Sequence, residues 1–319
     1  MRYLIVFLIL TIASIAAAGE PRLSFQLEGD GIYTFNTGTL SGRLRLDGTN
    51  QGINELIYIP SGQEVTYGGR KLPVLSHYRL FTTGTRYGNA ARDWPTVCTL
   101  LPDGAVQAVF QPQEDYPFSM TAVFRLGAQD AVDVETIVTA KEDLPRFEVF
   151  LSNYFGDGYE ASVYVVHSLR APGQPYFVRA DHNPLVAENY LLFPRDRQSV
   201  LTVFDGRWAV PPSPVEWCIT RYLAAPIGVR RHKETGLTAL VMAPPDDCFA
   251  VATPYNQDPP DGVANHRSMY LSLFGGDVAK GDTVRARSRL QMLPNPTDDA
   301  LRACYETYLG TLAKDSPSK

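Results

Sequence analysis

The stretch Thr283-Val284-Arg285-Ala286-Arg287-Ser288-Arg289-Leu290-Gln291-Met292 decides the fold class. Small or apolar residues alternate with long polar ones. Such a period of two gives one dry and one wet face only when the chain is extended. Lys280-Gly281-Asp282 just before it is a turn signal. The same grammar repeats upstream. Strand-like runs occur at Tyr33-Thr34-Phe35, Leu44-Arg45-Leu46, Ala105 to Phe110, Met120 to Leu126 and Val132 to Val138. Others are Phe147 to Leu151, Ala161 to Val166, Leu237 to Met242 and Tyr270 to Phe274. Asp47-Gly48, Asp103-Gly104, Gly156-Asp157-Gly158 and Asp205-Gly206 punctuate them, and Asp-Gly pairs tolerate the positive φ of tight hairpins. The pattern is that of an antiparallel, all-β protein.

The rest of the chain fits that frame. Gly 25 and Pro 24, spread along 319 residues, suit a fold with many turns. With 45% apolar and 20% charged residues the chain is of ordinary globular make-up, which excludes disorder and fibrous repeats. A net charge of −5 gives no electrostatic reason to expect a nucleic-acid partner. One helix is predicted: Thr297 caps it, Asp298 and Asp299 complement its dipole, and Leu301, Cys304, Tyr305, Tyr308, Leu309 and Leu312 share one face. No long linker or repeat divides the chain, so residues 19–319 are expected to form a single sheet-on-sheet domain. Met1-Arg2, the apolar run Tyr3 to Ala16 and the small-residue exit Ala16-Ala17-Ala18 read as a secretory signal over 1–18. The expected location is therefore secreted or periplasmic, with no membrane attachment after cleavage. Four cysteines, Cys98, Cys218, Cys248 and Cys304, have no zinc-ribbon or redox-pair spacing, and both free thiols and one disulfide stay open. No metal or cofactor is expected.

Three places carry a family resemblance. Gly84-Thr85-Arg86-Tyr87-Gly88-Asn89-Ala90-Ala91-Arg92 is rich in Gly, Arg and Asn. His167 leaves a strand and is followed by Pro175-Tyr176-Phe177. Tyr270 to Phe274, Lys280-Gly281-Asp282-Thr283 and the strand to Arg289-Leu290 close the chain. Together these resemble the galactose mutarotase-like proteins. The resemblance implies a large two-sheet antiparallel supersandwich with one C-terminal helix. It also implies a sugar site lined by the Arg86, Asn89 and Arg92 segment, with His167 in the position of the family's acid. Here seven residues separate His167 from Pro175, and the family's late glutamate base has no evident counterpart.

The residues themselves offer further candidates. In a mutarotase a histidine protonates the ring oxygen while a carboxylate takes the anomeric hydroxyl proton, work suited to a group titrating near neutrality. His167 is the first candidate acid and His77, in Ser76-His77-Tyr78-Arg79, the second; either also reads as a hydrogen-bonded histidine on a sheet rim. Asp181-His182-Asn183 and Glu188 form a polar cluster that suits sugar hydroxyls, a cation, or an Asx turn before Pro184; two carboxylates in one loop do not establish a calcium site, and the turn is favoured. Asn265-His266-Arg267 supplies donors for hydroxyl or carboxylate groups, so His266 and Arg267 join the candidate binding residues. His232 reads as an exposed hairpin tip. Sugar faces pack on aromatic rings, and Trp94 beside Arg92 is the first candidate, with Trp208 and Trp217 as alternatives. The absence of a phosphate-binding glycine loop, a zinc-type histidine pair and a Gly-x-Ser-x-Gly elbow weighs against nucleotide, zinc-protease and serine-hydrolase chemistry. The expected partner is a mono-, oligo- or polysaccharide. The leading reading is a mutarotase or epimerase; its rivals are a non-catalytic sugar binder, a polysaccharide lyase or glycoside hydrolase, and an envelope protein whose cleft is vestigial.

Overall fold

The alternating stretch Thr283 to Met292 lies at the centre of a nine-stranded sheet in the computed structural model, which describes residues 23–66, 72–167, 173–180, 190–254 and 267–315. The leader-like segment 1–18 lies outside them. Five strands come first: β1 (Gln26–Gly29), β2 (Ile32–Asn36), β3 (Leu40–Arg45), β4 (Gly52–Tyr58) and β5 (Gln63–Glu64). Next are β6 (Ser76–Thr82), β7 (Thr85–Arg86), β8 (Thr96–Leu100), β9 (Val106–Phe110), β10 (Phe118–Ala128) and β11 (Ala131–Ala140). Then β12 (Glu148–Tyr154), β13 (Tyr159–Val165), β14 (Tyr176–Arg179) and β15 (Tyr190–Pro194) lead to a short helix, α1 (Arg197–Val203). The chain continues through β16 (Trp217–Ile219), β17 (Leu223–His232), β18 (Leu237–Met242) and β19 (Cys248–Pro254). It closes with β20 (Ser268–Phe274), β21 (Thr283–Pro294) and a long helix, α2 (Asp298–Asp315).

The strands form three sheets. β1 to β5 make a meander; nine strands run in the order β14-β13-β17-β18-β21-β11-β10-β9-β8; seven run β16-β15-β19-β20-β12-β6-β7. The expected all-β sandwich is present, with two refinements. The N-terminal meander is a third sheet, and β15 pairs with β16 in parallel. One continuous apolar core joins all three, from Leu40, Leu44 and Leu56 of the meander to Val134, Val241 and Leu290 of the larger sheet and Val149, Leu151 and Leu271 of the smaller. The turn readings hold in detail: Gly48 and Gly104 of the Asp-Gly pairs adopt φ of 65° and 86°.

The long helix forms as its sequence predicts. The Ala300 amide donates to Thr297 Oγ1, at 3.2 Å, and the buried Leu301, Tyr305 and Tyr308 pack on Ile227, Val229, Leu240 and Met242. That covers the outer face of the nine-stranded sheet. α1 was not expected from the sequence, because seven residues show little periodicity. It is started by Asp196, whose carboxylate accepts from the Ser199 amide at 2.8 Å. None of the four cysteines is paired; they sit on β8, β16, β19 and α2. Among the described residues no helix is long and apolar enough to cross a membrane.

Candidate functional site

On β6, Ser76-His77-Tyr78-Arg79 meets β12 through an irregular register. Phe150 lies opposite Arg79, but Leu151 lies opposite His77, so Tyr78 is the extra residue of a β-bulge. In a regular strand neighbouring side chains point to opposite faces. A bulge re-aims one of them, and here both Tyr78 and Arg79 line the same pocket. His77 goes the other way, with Leu151, into the space between the sheets. Its Nε2 lies 2.8 Å from Thr136 Oγ1 on β11, and its ring meets Phe110 and Phe124 edge-on. Burial pushes its pKa down to about 3. The reading of His77 as second candidate acid is therefore corrected: it is an uncharged, hydrogen-bonded histidine, as the alternative had it, but inside the core between two sheets rather than on a rim.

The pocket, of about 240 Å³, lies on the outer face of the seven-stranded sheet and is walled by Tyr78, Arg79, Tyr154, Tyr190, Trp208, Trp217 and Tyr270, among others. The face is dense with rings because the chain between β15 and β16 folds back over it. Trp208 packs on Phe81 and Phe150 at 4.5 and 4.8 Å, and Trp217 meets Trp208 edge-on at 4.9 Å. Phe150 stacks on Tyr270 at 4.6 Å. Arg207, next to Trp208, anchors this overlay. Fully buried, it pairs with Glu148 of β12 at 2.9 Å and Asp205 at 2.8 Å, and donates to the Arg146 carbonyl.

The electrostatics of the pocket are one-sided. Arg79 is 5% exposed, and its guanidinium lies 4.9 Å from the Tyr78 ring centre and 5.3 Å from Trp208. Arg92 lies 4.4 Å from the same Tyr78 ring and donates to the Tyr154 hydroxyl at 3.2 Å. Arg86 is held at the edge by the carbonyls of Gly88, Asn89 and Pro212. Among the described residues no carboxylate ion-pairs with any of the three, and neither a carboxylate nor a histidine lines the pocket. Burial alone would raise the Tyr78 pKa, but the positive fields of Arg79, Arg92 and Arg86 and the Arg79 hydrogen bond outweigh it and hold the phenol below its ordinary value. Burial, with the phenols of Tyr154 and Tyr78, pushes Tyr190 up. Four buried N–H groups in and beside the pocket meet no acceptor among the described residues: Arg79 Nε, Arg92 Nε, Trp208 Nε1 and Trp217 Nε1. Buried donors are almost always satisfied.

Two other hollows flank α2, on the far sheet. Their charges are already neutralised, by pairs such as Glu160 with Arg179 and Asp133 with Arg289.

The candidates from sequence fall into three groups. Arg92 and Arg86 stand beside the pocket, and Trp208 and Trp217 wall it. Trp94 does not; it is buried in the common core against Tyr116 and Phe110, which corrects its reading as a sugar platform. Asn89 is exposed and contributes a carbonyl to Arg86. His167 is exposed just beyond β13 of the other sheet, and Arg267 pairs with Asp157 at 3.1 Å; neither lines the pocket. His266, His182 and Glu188 lie outside the described residues. Tyr78, Arg79, Tyr154, Tyr190 and Tyr270 went unnoticed as site residues, because no linear spacing marks a bulge or a shared sheet face.

No protein-family model and no curated protein matches this sequence. Solved structures do share its shape. The α-N-acetylgalactosaminidase NagBb from Bifidobacterium bifidum, in complex with GalNAc, superposes with a TM-score of 0.54 at 13% identity, over 87% of this chain and 38% of that one. This chain thus spans under two fifths of that enzyme's length. A proposed aldose 1-epimerase from Escherichia coli K12 aligns at 14% identity over 82% of this chain and 99% of its own, with a TM-score of 0.48. At these identities the likeness is one of fold alone.

Proposed function

We propose that this chain is an exported carbohydrate-active protein that holds a saccharide against the outer face of its seven-stranded sheet. Export rests on the basic start, apolar run and Ala16-Ala17-Ala18 exit of the leader-like segment. Saccharide binding rests on one observation above the rest: a pocket walled by aromatic rings, with the guanidinium-bearing side chain of Arg79 in the same lining. A pyranose presents apolar C–H faces to rings and many oxygens to donors, so its chemistry complements both features. Its fold companion NagBb in complex with GalNAc supports the same reading. The pocket's volume falls just under the roughly 300–1,000 Å³ usual for small-molecule sites, which suits a single sugar unit better than a wrapped polymer.

A second reading, in which the protein also modifies its sugar, is favoured by Tyr78. A phenol held below its ordinary pKa beside a cation is able to give and take a proton. Neither His167 nor His77 lines the pocket, so the mutarotase-type acid role passes to Tyr78 in this reading.

Saturation-transfer NMR with a panel of neutral and acidic sugars tests both. Signal transfer to at least one sugar, lost in Trp208→Ala, is the expected result, and silence across the panel would sink the saccharide assignment. The same samples followed with time separate binder from enzyme. Accelerated anomer exchange or new alkene signals, absent in Tyr78→Phe, would mark chemistry.

A further inference from the structure

We propose that the pocket is specific for an acidic saccharide, and that Arg79 and Arg92 receive its carboxylate or sulfate beside the ring of Tyr78. The inference rests on the saccharide reading and narrows it to one class of ligand.

Its first support is the contrast between these arginines and the protein's other buried ones. Arg207 is neutralised by Glu148 and Asp205, and Arg289 by Asp133 at 2.6 Å. Arg230, on β17, spends its guanidinium on the Tyr159 and Ser268 carbonyls and the Thr253 hydroxyl. Among the described residues the guanidiniums of Arg79 and Arg92 meet phenols and ring faces and no ion-paired carboxylate, though the charge of Asp93 is felt by Arg92: Arg79 reaches Tyr78 Oη at 3.4 Å and Arg92 reaches Tyr154 Oη at 3.2 Å. Among the described residues both keep a buried Nε–H without an acceptor, as Arg230 also does, so the contrast lies in what the rest of each guanidinium meets. A buried cation is costly unless it is paired. The second support is mutual repulsion. After burial, the largest influence lowering the Arg86 pKa is the charge of Arg79; burial also lowers Arg92, but Tyr154, Tyr78 and Asp93 outweigh it and hold Arg92 up.

The third support is geometric. Both guanidiniums lie within 5 Å of one ring centre, at 4.9 and 4.4 Å, so the bulge at Tyr78 gathers two planar forks around one point. Planar forks match the two oxygens of a carboxylate or the face of a sulfate, and such charge-assisted bonds are roughly twice as strong as neutral ones. A neutral sugar would offer hydroxyl acceptors to the N–H groups but leave the charge unbalanced.

Titration calorimetry on the intact mature protein tests this with matched probes: galactose against galacturonate, glucose against glucuronate, galactose 6-sulfate, and inorganic sulfate and acetate alone. An acidic sugar should bind about tenfold or more tighter than its neutral partner. The gap should narrow as salt rises from about 0.05 M to about 0.5 M. Arg79→Gln should bring the acidic sugar down to the level of its neutral partner. Arg92→Gln, at the better-exposed position, should do the same and serves if Arg79→Gln does not fold by circular dichroism. Equal affinities for neutral and acidic partners would overturn the inference and leave the saccharide reading standing. Binding of sulfate or acetate, abolished in Arg79→Gln, with no sugar bound would keep the anion site and overturn the saccharide reading. No binding by any probe would overturn both.

Discussion

His77 is buried as a neutral ring, and its proton affinity has consequences for stability. Its pKa falls from about 6.5 in an unfolded chain to about 3 in the fold, because desolvation disfavours the charged form. Between these values the unfolded chain binds more protons than the folded one, so stability is full above about pH 6.5 and declines as the pH falls toward 3. The slope reaches at most about 1.4 kcal/mol per pH unit. Thermal melts of wild type and His77→Leu from neutral pH to about pH 4 should show a shallower loss in the variant, although it starts less stable because the Thr136 hydroxyl loses its partner. Parallel curves would show that His77 is not the titrating group. A histidine inside a strand could face either way on the sequence alone. Only the bulge beside it sends His77 inward and gives the pocket face to Tyr78 and Arg79.

At the scale of elements, the site depends on the overlay between β15 and β16. Arg207 fixes it to β12, and the ion pair is fully enclosed. Burial raises the Asp205 pKa, but the hydrogen bonds and charge of Arg207 prevail and hold its carboxyl below the ordinary range. Arg207→Met would leave Glu148 and Asp205 buried without their cation, a loss of about 3–5 kcal/mol. Urea unfolding measures it, and adding Glu148→Gln should recover part of that loss through coupling. Because Trp208 follows Arg207 directly, the single variant should also weaken sugar binding; unchanged stability together with unchanged binding would refute the anchor. Little of this is legible in the sequence. Asp205-Gly206 announces a turn, but no pattern in Arg207-Trp208 says that one side chain is an anchor and the other a wall.

Across the whole molecule, three sheets share one core, with Leu44, Val241 and Leu271 in the same cluster. No sheet can lose its inner face without exposing the others. Calorimetry should therefore show one cooperative transition, with van't Hoff and calorimetric enthalpies in agreement; an early separate transition would mean that the meander Gln26–Glu64 folds on its own. The sequence by itself determined the extended, antiparallel, turn-rich character of the chain and its capped C-terminal helix. Those features follow from local rules: a period of two, Asp-Gly turns, and Thr297 ahead of an amphipathic run. The family resemblance of its segment 84–92 also pointed to Arg86 and Arg92, and residue type to Trp208 and Trp217 as alternatives to Trp94. Tertiary structure alone decided that Trp94 and His77 belong to the core, and that Tyr78, Arg79, Tyr154 and Tyr270 surround one pocket. The reason is physical. Strand alternation says that a strand has two faces, but which face is sealed between sheets and which is open depends on register, and register is set by partners far away in the chain.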